Sequence, residues 1–161
     1  MRECGTNIKN KKRDELLDVF RMRSDMKTIE SIYRLKKYYG GGSDIHTGSF
    51  FNSGITSFSE KELASLLAAS SPDEVLELLK KTRYGKYLPA GDMVIERKTA
   101  IMQLRINEKQ LRYSTHPETV FLSYVGIMEN EMQNVTHIIE GIRYSLPPEE
   151  IMKYLIKSDD K

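Results

Sequence analysis

The residues of this 161-residue chain with the types to do chemistry are three histidines, one cysteine and a few paired carboxylates. His46, His116 and His137 lie far apart, and none has a second His or Cys one helical turn away, so the usual spacing of a zinc site is missing. Cys4 is the sole cysteine, so it forms no internal disulfide, and no base stands near it in sequence to activate it as a nucleophile. Gly40-Gly41-Gly42 runs on into Ser43-Asp44-Ile45 without the Lys-Ser or Lys-Thr pair that holds phosphate and magnesium. That run reads as the stop of a helix. Glu149-Glu150 and the Glu60/Glu62 pair fall in first helical turns, where the helix dipole favours acids without any acid–base role. Tyr33, Tyr38 and Tyr39 could stack on bases, but they share a helix that needs a packing face of its own. No catalytic, cofactor-binding or metal-binding residue is assigned, no cofactor is expected, and the residues favour an interaction protein over an enzyme.

The elements that would position these residues are helical. Hydrophobic residues make up 39% and charged residues 30% of the chain, which indicates a soluble domain with a core of ordinary size. The longest uncharged stretches are too short and polar to cross a bilayer, and Met1 to Asp18 is too charged for a secretory leader. The cytoplasm is the expected compartment. Net charge is +2, and residues 1–40 carry eleven Lys/Arg against six Asp/Glu. Bases and acids alternate there, which reads as a solvated helix face rather than a nucleic-acid surface.

Apolar residues recur by threes and fours from Leu16 through Val19, Ile29 and Ile32 to Leu35, predicting a helix from about Lys12 to Tyr39. A Gly/Ser-rich loop over Gly40–Ser57 follows, with a brief extended segment possible within Ser49–Phe58. Ser59 with Glu62 has the spacing of a capping box, and Ser71-Pro72-Asp73-Glu74 is a second helix start. The helix opened by Ser71 is expected to bury Val75, Leu76, Leu78 and Leu79 and to end near Tyr84-Gly85. After the break at Leu88-Pro89-Ala90-Gly91, a helix from about Asp92 to Tyr113 precedes the start signal at Ser114–Glu118. The longest apolar pattern comes next, from Val120 to Ile142, followed by Leu146-Pro147-Pro148 and a short helix with Ile151, Tyr154 and Leu155. Met22, Met26, Met128 and Met132 read as core residues, with lining of a partner groove as the other use of such side chains. The fold class is all-α.

The segment Asp25-Met26-Lys27-Thr28-Ile29 can be laid on Glu131-Met132-Gln133-Asn134-Val135, an acid leading the same apolar spacing in both. The run from Tyr124 to Val135, then Ile138 and Leu146-Pro147-Pro148-Glu149-Glu150-Ile151, resembles the end of the C subunit of archaeal and bacterial A/V-type rotary ATPases. The d subunit of the vacuolar ATPase is the eukaryotic relative. Arg34-Leu35-Lys36 closes the first copy in the family's Arg-x-Lys pattern, while Glu140-Gly141-Ile142 stands at that place in the second. The resemblance covers about residues 16–156.

The resemblance implies helical repeats of the rotary ATPase C-subunit type, of which this chain holds about one and a half. The division expected is a flexible basic N-terminus over 1–11, a first repeat over 12–88, a partial second repeat over 89–156 and a fraying tail over 157–161. It implies a non-catalytic subunit that receives the D/F stalk and sits on the cytoplasmic side of the proteolipid ring, coupling ATP turnover to proton or sodium transport. Asp25, Arg34, Glu131 and Asn134 are the motif residues, expected to fix helix register by bonding neighbouring helix ends or an arginine. The alternative is a helical module that binds another protein, or nucleic acid through residues 9–37; under the rotary ATPase reading no nucleic acid is expected.

Overall fold

The computed structural model describes residues 3–39 and 55–159, with side chains described from Asp14 onward. The Gly40–Gly42 stop, His46, the Cys4 side chain and most of the Gly/Ser-rich loop lie outside the described residues. Six helices occur among the described residues, with no strand: α1 (Glu3–Tyr39), α2 (Glu60–Ala68), α3 (Pro72–Lys80), α4 (Ile95–Tyr113), α5 (Pro117–Arg143) and α6 (Pro148–Tyr154). The fold is all-α.

Local chemistry sets most of the helix ends. Ser59 accepts from the Glu62 backbone N–H while the Glu62 carboxylate accepts from the Ser59 N–H at 2.8 Å, closing the capping box. Ser71 caps α3 by accepting from the Glu74 N–H, with Pro72 in the first turn, while the Glu74 carboxylate accepts from the Ser70 N–H. Two boundaries differ from the sequence reading. Helix α1 reaches back to Glu3, well before Lys12, over residues 3–11 that carry no apolar stripe to signal it. Helix α3 stops at Lys80, and a short 3-10 turn at Gly85–Tyr87 carries the chain onward. A Cβ at Gly85 would strike the Lys80 carbonyl, so this turn fits only against a glycine.

The main core lies where α1, α2, α3 and α4 meet. Helix α1 contributes Met22, Met26, Ile29 and Ile32, and α2 and α3 contribute Leu66, Val75 and Leu79. Tyr84 and Phe58 meet edge to face across this core, their ring centroids 5.4 Å apart. Ile95, Met102 and Ile106 of α4 complete it. A smaller cluster forms where Ile101 and Leu104 of α4 meet Ile156, with Ile127 of α5 against it.

Helix α5 packs on α4 with an unexpected face. Its buried residues are Thr119, Ser123, Gly126, Asn130 and Gly141, which are small or polar. Its large apolar residues face out: Phe121 is 64% exposed, Met132 68% and Ile142 66%. Met22 and Met26 are core residues as expected, but Met128 and Met132 are not. The reason is close approach: a Cβ at Gly126 would run into the Asn107 amide of α4, so the two helices meet through the side of α5 that has the least bulk.

Candidate functional site

Asp25 is fully buried on α1 and gathers donors from two distant segments. Thr56 Oγ1 donates to its Oδ1 at 2.5 Å, and the Ser57 N–H donates to Oδ2 at 3.0 Å. The Tyr84 hydroxyl donates to Oδ2 at 2.5 Å. A buried carboxylate is tolerable only when its oxygens are bonded in this manner. Burial pushes the Tyr84 hydroxyl pKa up, and the hydrogen bond to the Asp25 carboxylate adds to the effect. This node fastens the chain entering α2 and the turn after α3 to the middle of α1.

Asn134 makes a smaller node on α5. Its Nδ2 donates to the Ile156 carbonyl at 3.0 Å, and the Ile156 N–H donates to its Oδ1 at 2.7 Å. Both backbone groups of one residue beyond α6 are thereby satisfied by a single side chain.

The other two motif residues do not join these nodes. Arg34 Nε donates to Glu96 Oε1 at 2.7 Å, tying α1 to α4 at an exposed site. The hydrogen bond to Glu96 raises the Arg34 pKa. At Glu96 partial burial opposes ionisation, but its own backbone N–H and Arg34 outweigh it, so the carboxyl sits below its usual range. Glu131, which the repeat pattern lays on Asp25, is exposed on α5. Asp25 and Glu131 therefore stand in opposite environments, and Asp25 bonds the returning chain rather than Arg34.

Helix α4 supplies further ties that residue spacing does not indicate. Lys98 is buried, and its Nζ donates to the Gly91 carbonyl at 2.7 Å, holding the Pro89–Gly91 break where Gly91 takes a φ of 88°. Burial pushes the Lys98 ammonium pKa down. Arg105 reaches both ways, its Nη1 to the Tyr87 carbonyl and its Nε to the Ser158 carbonyl, each at 2.9 Å. The latter lies in the segment that the sequence marks as a fraying tail. Arg97 donates to the Leu155 carbonyl at 3.0 Å. Across the helices, Arg23 of α1 pairs with Glu129 of α5 at 2.9 Å, and Glu15 of α1 faces His116 at 3.3 Å. Part of the basic face of α1 is thus engaged by its own chain. The partners are backbone carbonyls, or side chains tens of residues away, so only the break itself is visible in sequence, as a Pro/Gly cluster.

Among the described residues, no group of three or more His, Cys, Asp and Glu side chains is placed to hold a metal ion. No helix among them is long and apolar enough to cross a membrane. The polar side chains bond helix to helix and helix to returning chain, and the class these features define is an all-α helical scaffold.

The chain belongs to the ATP synthase (C/AC39) subunit family, whose pattern matches residues 1–154. It is similar to the C subunit of the A-type ATP synthase of Haloferax volcanii, with 30% identity over 124 residues. That match takes in 71% of this chain and 35% of the archaeal protein, so the chain spans about a third of its relative's length. No solved structure matches.

Proposed function

We propose that this chain serves as a coupling element of a rotary ATPase, joining the D/F central stalk to the membrane ring of proteolipid subunits without catalysing a reaction itself. The observation that carries the proposal is membership of the family over residues 1–154, together with the likeness to the archaeal C subunit. In this reading the chain is peripheral to the membrane on its cytoplasmic side, and ATP-driven proton or sodium movement takes place in its neighbours. A part that transmits torque must resist twisting. The arrangement of α4 suits that demand, because it is bonded to α1 through Glu96, to the Gly85–Tyr87 turn through Arg105 and to the chain beyond α6 through Arg97 and Arg105. Asp25 and Asn134 act in the proposal as positioning residues that hold the returning chain, while Arg34 fixes α1 against α4 and Glu131 is left for contact with a neighbour.

The test is native mass spectrometry of this chain with the D/F stalk pair from the same organism. A one-to-one complex that survives moderate salt is expected. A helical, folded chain that binds neither the stalk pair nor the isolated proteolipid ring overturns the coupling role.

A further inference from the structure

The outward face of α5 has a spacing of its own. From Phe121 the apolar residues step by four and three to Val125, Met128, Met132, Val135, Ile139 and Ile142 without a break. Alternating four-three spacing over three heptads is the seam by which one helix packs along another. With ~100° per residue this seam lies about 180° around α5 from Ser123, Asn130 and Gly141, which face the body of the chain. All of its residues but the half-buried Val125 are exposed. A contiguous apolar stripe of this length on a surface marks an interaction site.

Charge indicates the occupant. The chain as a whole is net positive, yet α5 carries Glu118, Glu129, Glu131 and Glu140 against the single base Arg143. Glu118, Glu129 and Glu140 follow one edge of the seam, with Arg143 at its C-terminal end, and Glu131 stands on the other, by the same helical arithmetic. Glu129 is already paired with Arg23, which leaves exposed acid on both edges. A second copy of this chain would bring the same acidic edges against themselves. An anionic lipid surface would be repelled in the same way.

The geometry points to a helix of another polypeptide as the occupant of the α5 seam, one with apolar residues at four-three spacing and Lys or Arg along its edges. This inference does not depend on the stalk-binding proposal, and its test contains no component of the stalk or ring. Two synthetic helices of about four heptads, with leucine in the seam, differ only in carrying lysine or glutamate at the edges. Each is labelled and titrated with the full chain by fluorescence anisotropy at low and high salt.

The lysine-edged helix is expected to bind about tenfold or more tighter than the glutamate-edged one, with the difference shrinking in high salt. Met132→Glu is expected to weaken that binding by about tenfold or more, since it buries a charge in an apolar seam. The double change Glu131→Lys with Glu140→Lys is expected to reverse the preference between the two peptides. Circular dichroism and melting of each variant check that the fold is intact, which the exposure of all three positions favours. Equal affinity for both peptides overturns the inference, and so does binding of neither. A chain that sediments as a dimer and becomes monomeric on Met132→Glu also overturns it, because the occupant is then a second copy.

Discussion

Helices α1 and α5 both lie against α4, and they use opposite sides of their amphipathicity. Helix α1 turns its apolar residues inward, with Val19, Met22, Met26, Ile29 and Ile32 buried. Helix α5 turns its small and polar residues inward and leaves Phe121, Met132, Val135 and Ile142 in solvent. The same period therefore has two meanings. On α1 it records the core of this chain, and on α5 it records a surface that the other described residues leave uncovered. Helical spacing says which residues share a face and nothing about which body fills it.

The sharpest way to break the α1 side is at its polar node. Asp25→Ala removes the acceptor of the partly buried Thr56 hydroxyl and Ser57 N–H and of the fully buried Tyr84 hydroxyl, and is expected to cost about 3–5 kcal/mol in urea unfolding. A loss under about 1 kcal/mol would mean that water replaces the carboxylate there. Next in size is a matched pair of methionine truncations. Met26→Ala is expected to cost about 2–4 kcal/mol, whereas Met132→Ala in the isolated chain should change stability by no more than about 0.5 kcal/mol. Equal losses at the two sites would erase the contrast between the helices.

Asn134→Ala is expected to cost about 1–2 kcal/mol, since it leaves both backbone groups of the buried Ile156 without their side-chain partner. The change should register as a lower melting temperature. The smallest effect concerns pH. Tyr84 holds its proton more tightly when folded, so from about pH 10 upward the unfolded chain releases that proton first. Tyr84 therefore contributes a fall in stability with rising pH in that range. The slope should be shallower in Tyr84→Phe, read from unfolding curves at successive alkaline pH values.

The features legible in the sequence are those written within a few residues. The capping box at Ser59 and Glu62, the Ser71-Pro72 start and the Pro147-Pro148 break need only local partners, and each stands where the spacing places it. The polar N-terminal end of α1 is invisible there because a helix without an apolar stripe leaves no periodic trace. Met128 and Met132 read as core because the pattern through Ile142 is continuous, but the glycine that draws α4 to the other face carries no such period. At the nodes, Asp25 and Asn134 stand out through the family motif. Their partners Thr56, Ser57, Tyr84 and Ile156 do not, since they lie 22 to 59 residues away and contribute backbone groups or, at Thr56 and Tyr84, a hydroxyl.

The Asp25 and Asn134 nodes have a consequence for how backbone amides meet water. Ser57 and Ile156 lie outside the helices, where amides ordinarily trade hydrogen for deuterium quickly. Here each N–H ends on a side-chain oxygen of a long helix, and exchange requires that bond to open. Ser57, tied to a fully buried carboxylate, should exchange on the schedule of the core helices, and Ile156 somewhat sooner. Two slow amides in irregular segments would mark the places where this scaffold is bolted rather than merely folded.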